Sequence, residues 1–346
     1  MAAYISFQPS DYFNTKLYTG TGSSNALTGL GFQPDIVWIK GRNYAYNHVL
    51  SDSVRGEKQL YPNLTIAQDS NTGEITSFDS DGFTVGTGGD VNYNTRTFVS
   101  WNWKMGTTSG ATFGTAGITP TNYSINTTTG QGVYKYSGGD GFGASTVAHG
   151  LGAAPDWVII KRIEDNGHGW QTTNTAVGFT NNLRLESNAT MATAASWWND
   201  TAPTSDVVSI GGDSWNNNDG NTFMMYCFTN KRGFFKTGSY TGNGNADGSF
   251  VYTGFRPAFV SIKKTSDTGD WYTYDNKRLG YNADNNALYI DLTNAESTSE
   301  DIDILSNGFK LRGTNGEING SGGSYVYLAW ADQPIVSSNS KAGVAR

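Results

Sequence analysis

At 346 residues the chain exceeds what one hydrophobic core usually fills, and a prior of roughly 150 residues per domain points to two or three units. Gly 44 against Pro 8, with 13% aromatic and only 15% charged residues, is the composition of many short strands joined by tight turns and argues against long helices. The net charge of -7, with Lys and Arg scattered, excludes nucleic acid as an expected partner, because neutralising phosphates requires clustered cations.

Residues 1–15 read as an N-terminal arm carrying Phe7, Tyr12 and Phe13. The opening Met1-Ala2-Ala3-Tyr4-Ile5-Ser6-Phe7 has neither a basic n-region nor a long apolar run. No later segment approaches the ~18 apolar residues of a membrane span, so the expectation is a chain made in a cytoplasm, with no membrane insertion.

Beyond the arm, three segments share a phrase: Gly31-Phe32-Gln33-Pro34-Asp35-Ile36-Val37-Trp38-Ile39-Lys40, Gly152-Ala153-Ala154-Pro155-Asp156-Trp157-Val158-Ile159-Ile160-Lys161, and Gly254-Phe255-Arg256-Pro257-Ala258-Phe259-Val260-Ser261-Ile262-Lys263. Upstream of each sits an aromatic turn: Tyr18-Thr19-Gly20, Tyr136-Ser137-Gly138 and Tyr240-Thr241-Gly242. Downstream each closes on an aromatic strand: Phe98 to Trp103, Phe223 to Phe228, and Tyr325 to Trp330. Proline suits the start of a strand, because it lacks an amide to donate, and the β-branched and aromatic residues after it favour extended backbone. Lys40, Lys161 and Lys263 are expected where each strand reaches water, with the ammonium solvated.

These anchors define units at 16–104, 132–232 and 233–334, each with about six strand-like runs, as in a sandwich of two antiparallel sheets. The fold class expected is all-β: three tandem antiparallel β-sandwich (jelly-roll or concanavalin-like) repeats after a short arm. Each is expected to close its own core, in preference to three blades sharing one axis. Residues 105–131 are low in complexity and read as a linker, whereas 233 follows 232 without a break, so the second and third units should be rigidly coupled. Residues 335–346 read as a Ser, Ala and Gly-rich tail, and both chain ends are expected to dock on a neighbour.

Asp79-Ser80-Asp81-Gly82 and Ser306-Asn307-Gly308 lie between apolar runs and predict hairpins, a better reading than a calcium loop, whose distal Glu is missing. The three histidines, His48, His149 and His168, show no metal or triad spacing, and no metal or cofactor is expected. Glu300, Asp301 and Asp303 read as an acidic edge strand, not a hydrolytic pair. Cys227 reads as a buried hydrophobe. No catalytic residues are assigned. The binding signal falls on Trp197, Trp198, Trp215 and Asn216, which combine aromatic faces with amides, the pairing that stacks on a sugar ring and hydrogen-bonds its hydroxyls.

The repeated Gly-x-x-Pro phrase, Phe78 to Gly86, Tyr325 to Trp330 and the opening Ile5 to Gly20 together resemble a family of repeated structural proteins of tailed bacteriophages of marine bacteria. The resemblance runs from about Ile5 to Pro334. It implies lectin-like sandwiches in a virion component, without catalytic residues to carry over. The expectation is a non-enzymatic virion surface protein, a capsid decoration or head fibre. Its expected partners are other virion proteins, further copies of itself, and host surface polysaccharide as a candidate ligand. A tail fibre or receptor-binding protein is the alternative, with a carbohydrate-active enzyme or lectin behind it.

Overall fold

Strand after strand in this chain is apolar on both faces, and the architecture follows from the need to cover both. The computed structural model describes residues 5–333 apart from 70–72, 140–142, 279–281, 283–284 and 299–300. The fold is all-β, with helix only in single turns such as Gly89–Asn92, and the strands pair antiparallel.

In the first unit β1 (Phe13–Thr19), β2 (Asn25–Thr28), β3 (Ile36–Gly41), β4 (Val49–Asp52), β5 (Gln59–Leu60), β6 (Ile75–Asp79), β7 (Gly82–Val85) and β8 (Thr97–Trp103) form a sheet ordered β1-β8-β3-β4-β5 and another ordered β2-β7-β6. The second has β9 (Asn122–Asn126), β10 (Gln131–Ser137), β11 (Ser145–Ala148), β12 (Trp157–Arg162), β13 (Trp170–Asn174), β14 (Asn181–Arg184), β15 (Ala192–Thr193), β16 (Val207–Ile210) and β17 (Thr222–Phe228), ordered β15-β14-β13-β12-β17-β10-β9 with the pair β11-β16. In the third, β18 (Phe235–Thr241), β19 (Phe250–Tyr252), β20 (Phe259–Lys264), β21 (Trp271–Asp275), β22 (Leu288–Tyr289), β23 (Ile302–Leu305), β24 (Gly308–Leu311) and β25 (Ser324–Trp330) give β18-β25-β20-β21-β22 and β19-β24-β23.

The shared phrases occupy matching places. Ile36, Trp157 and Phe259 pair with Trp103, Phe228 and Trp330 on the central strands β8, β17 and β25. The rings of Tyr18, Tyr136 and Tyr240 stack on Phe98, Phe223 and Tyr325 at 5.0–5.2 Å. Their hydroxyls donate to the carbonyls of Val91 (2.7 Å), Asn216 (2.6 Å) and Ile318 (2.6 Å). The next residue in each case, Asn92, Asn217 or Asn319, is buried, and its side chain binds backbone groups of the facing loop. The glycine of each tyrosine turn is required by close approach. A Cβ at Gly20, Gly138 or Gly242 would lie 2.2–2.4 Å from the carbonyl oxygen of Tyr93, Asn218 or Gly320.

Each unit buries a core between its own two sheets, for instance Val37, Ile39 and Phe98 against Leu27, Phe83 and Val85. The other face of every large sheet is buried too. Val99, Trp101 and Trp103 of β8, Met224, Tyr226 and Phe228 of β17, and Val326, Leu328 and Trp330 of β25 belong to one further core shared by all three units. Phe259 meets Trp101 and Trp103 edge-on at 5.2 and 6.1 Å, and Trp330 meets Trp103 and Phe228 at 5.4 and 5.1 Å. Each unit thus closes its own core as expected, while the preference against a shared axis is corrected by the further core among the three large sheets. Strands buried on both faces read as near-continuous apolar runs, and such a face needs a partner surface.

The seams between units follow one cyclic rule. Trp170 of the second unit donates its indole N–H to the carbonyl of Tyr61 in the first (3.0 Å), and Trp271 of the third donates to Arg184 of the second (2.8 Å). At the corresponding place His48 closes the cycle onto Tyr289 of the third (2.6 Å). Its Nδ1 accepts from the Trp38 indole (2.9 Å), so Nε2 carries the proton it donates. Head-to-tail contacts of one kind that return to their origin make a closed ring.

Lys40, Lys161 and Lys263 do not reach water. All three are fully buried, with ammonium groups bound to backbone carbonyls: Lys40 to Tyr46 and to Thr293 of the third unit, Lys161 to Arg162 and His168, Lys263 to Gly269. Residues 105–131 are not a free linker either: Met105 is buried, β9 extends the second unit's large sheet, and Ile118 bridges in parallel to Val147 beside the short β11-β16 pair. From Ile5 the arm folds back on its own chain, with Phe7 edge-on to Phe234 at 5.3 Å and Phe13 buried among Trp103, Phe259 and Trp330. The 335–346 tail and Glu300 lie outside the described residues.

Candidate functional site

The four residues expected to bind a glycan sit at one end of the second unit, and the structure turns most of their chemistry inward. Trp198 is fully buried, packs edge-on against Phe179 and donates its indole N–H to Asn182 (3.1 Å). Asn216 is fully buried as well, its amide bound to the Trp197 carbonyl. Trp197 is half-buried against the same core. Trp215 is half-buried, with the Arg184 guanidinium over its ring at 4.7 Å and His168 against its edge. A side chain with no exposed area stacks on no ligand, so Trp198 and Asn216 are corrected to core and turn positions.

The acidic strand is spoken for. Asp303 pairs with Arg312, and Asp301 is buried near the Tyr274 hydroxyl. In the hairpin tip, the Asp81 carboxylate accepts from the amides of Gly29 (2.9 Å) and Gly31 (2.6 Å), and these two bonds hold its pKa below the usual carboxylate range. Among the described residues no group of three or more His, Cys, Asp or Glu is placed to hold a metal ion.

Three cavities among the described residues bear on ligand binding, one of them a groove of about 320 Å³ beside Lys231, Arg232, Lys236 and Tyr252. Another, of about 30 Å³, lies in the shared core among Trp38, Trp103, Trp157, Phe259 and Trp330; with apolar walls and room for about one water, it is expected to be dry. A groove of about 630 Å³ runs between the first unit and the 104–123 stretch, past Asp35, Lys104 and Tyr123. The Asp35 carboxylate in it accepts from Ser53 (2.6 Å), Ser124 (2.8 Å) and the Met105 amide (2.7 Å), so it acts as a tie between units.

Sequence reasoning passed over an exposed aromatic cluster on the first unit. The β3–β4 loop carries Tyr44 and Tyr46, and the turn before β8 carries Tyr93 and Arg96. Tyr44 is 49% and Tyr93 54% exposed. Tyr46 bridges them, with ring centroids 5.1 Å from Tyr44 and 6.3 Å from Tyr93. The Arg96 guanidinium lies over the Tyr44 ring at 4.4 Å. The signal was available: Asn43-Tyr44-Ala45-Tyr46-Asn47 is aromatic where the equivalent loops, Glu164 to His168 and Ser266 to Asp270, are not.

The fold thus defines an all-β body of sandwich units, with an exposed aromatic and guanidinium cluster on the first of them. By sequence the chain belongs to a family described as a domain of unknown function, DUF7483, whose model matches residues 8–334. Comparison with curated proteins gave no match, and neither did comparison with solved structures.

Proposed function

We propose that this protein is a non-enzymatic structural and adhesive component of a tailed-phage virion, of the capsid-decorating or head-fibre kind, made in the host cytoplasm and carried on the particle surface. The observation that supports the reading is the closed ring. Three seams of one kind turn a single chain into a body of near-threefold symmetry, suited to a threefold or quasi-threefold position on a shell of repeated subunits. Burial of the large sheets on both faces gives each unit two cores to lose at once, which favours persistence outside a cell without a disulfide. Its partners are other virion proteins, further copies of the chain, and host surface polysaccharide.

Quantitative mass spectrometry of purified particles tests the proposal. Roughly one copy for every three of the major shell protein is expected, because each threefold or quasi-threefold position is shared by three shell subunits. A number far below it moves the assignment to a tail or fibre position, and absence from particles overturns it. Release of reducing ends from host polysaccharide by the purified chain would overturn the non-enzymatic part.

A further inference from the structure

We infer that Tyr44, Tyr46, Tyr93 and Arg96 form a binding platform for an acidic glycan, one bearing carboxylate or sulfate groups. The inference rests on the adhesive half of the proposed function and gives it a place and a ligand class.

The cluster combines two recognition elements. Tyrosine rings half open to solvent offer flat apolar faces to the C–H face of a sugar, with hydroxyls at their rims. Between them Arg96 presents a guanidinium fixed in orientation by the Tyr44 ring beneath it and by the Tyr46 hydroxyl. A planar, oriented guanidinium suits bidentate binding of carboxylate or sulfate oxygens. Among the described residues no carboxylate ion-pairs with Arg96, and its Nε is buried without a hydrogen-bond partner. The acid near the platform, Asp90, is already engaged by the amide and side chain of Asn47 at 3.1 Å each. In a chain of net charge -7, an oriented cation without a carboxylate is a site for an external anion.

The backbone supplies an independent argument. Thr95, between Tyr93 and Arg96, has φ +67°. The equivalent positions before β17 and β25 are Gly220 and Gly322, both at φ +73°. The same turn thus occurs three times, twice with the residue that adopts it freely and once with a β-branched residue, for which left-handed backbone costs about 1–2 kcal/mol. Strain of this kind gathers at functional sites. It coincides here with the one turn whose flanks are aromatic and cationic, where the other two carry Asn218 and Asn221, and Gly320 and Gly323.

The test is titration of the full chain, followed by calorimetry and NMR, with a galacturonic-acid hexamer, a sulfated galactan oligomer and neutral maltohexaose. At least one acidic oligomer is expected to bind, and the neutral one about tenfold or more weaker. Tyr93→Ala and Arg96→Gln should each weaken acidic binding by about tenfold without moving the melting temperature, while Phe250→Ala, at an exposed aromatic ring elsewhere, should change nothing. Equal binding of the neutral oligomer, no binding of either acidic one, or indifference to both platform variants would overturn the inference. So would platform variants that no longer join particles, which would make the surface a contact with a virion protein and leave the virion reading intact. Absence of the unmodified chain from particles alongside platform-dependent glycan binding would refute the virion reading and leave this one standing.

Discussion

Truncation of Asp52 probes the seams most sharply. Its carboxylate, fully buried, accepts from Arg55 Nε (2.7 Å) and across the seam from the Tyr226 hydroxyl (2.9 Å). Asp275 repeats the arrangement with Arg278 (2.7 Å) and the Trp101 indole (3.1 Å). Both arginine side chains are only 1% exposed. At the third equivalent place the acid becomes Asn174, the arginine Val177, and the donor opposite Leu328. Asp52→Ala leaves a buried guanidinium uncompensated, a loss of about 3–5 kcal/mol. The Tyr226 hydroxyl loses its carboxylate acceptor and keeps Arg55 beside it, which adds about 1 kcal/mol. Denaturant unfolding followed by circular dichroism measures the sum. The triple variant Asp52→Asn, Arg55→Val, Tyr226→Leu copies the third seam and should recover most of the loss, because no buried charge remains. A single variant within about 0.5 kcal/mol of the parent, or a triple variant worse than the single, would refute this reasoning.

The buried lysines predict a pH dependence. Burial lowers Lys40 to about 7 and Lys161 and Lys263 to about 8, against 10.5 for the free side chain. Between those values the unfolded chain holds the protons that the fold has released, so these groups make stability rise with pH from about 7 towards 10.5. In Lys40→Met the slope should fall by up to one proton, about 1.4 kcal/mol per pH unit, and an unchanged slope in denaturant titrations would contradict it. Thr95→Gly should raise the unfolding midpoint by the equivalent of about 0.5–1 kcal/mol by relieving left-handed strain, and a lowered midpoint would count against that strain. Gly20→Ala should cost about 3 kcal/mol or more, through collision with the Tyr93 carbonyl. Gly31→Ala, at φ +84° with open space around it, should cost about 1 kcal/mol, and equal losses for the two in thermal melts would contradict the contact argument.

The all-β class was legible because composition, turn residues and the threefold phrase agree, and the phrase marks strands β3, β12 and β20. The shared core was not read, although a cue was present. In Phe98-Val99-Ser100-Trp101-Asn102-Trp103 the residues of both parities are buried, so the strand has no solvent face to advertise. The same oversight misplaced Lys40, Lys161 and Lys263: a lysine at a strand's end normally snorkels, but here backbone carbonyls take the ammonium groups, across a seam for Lys40 and within the unit for Lys161 and Lys263. Residues 105–131 looked empty because single residues, Met105, Ile118 and Ile125, do the burying, and edge pairing of β9 leaves little trace in composition. Trp197 and Trp198 illustrate the limit for sites, since adjacent tryptophans in a polar loop do not reveal which ring faces the core. The Tyr44 to Arg96 cluster joins loops far apart in the chain, a proximity created by the pairing of Gly41 at the end of β3 with Phe98 at the start of β8.

Differential scanning calorimetry of the intact chain tests most directly the claim that three units share one core. The ring predicts a single transition whose van't Hoff enthalpy matches the calorimetric one, at roughly 0.7 kcal/mol for each residue of the whole chain near 60 °C. Separate transitions, or a van't Hoff enthalpy near one third of the calorimetric value, would mean that each sandwich unfolds by itself and that the common core does not bind them together.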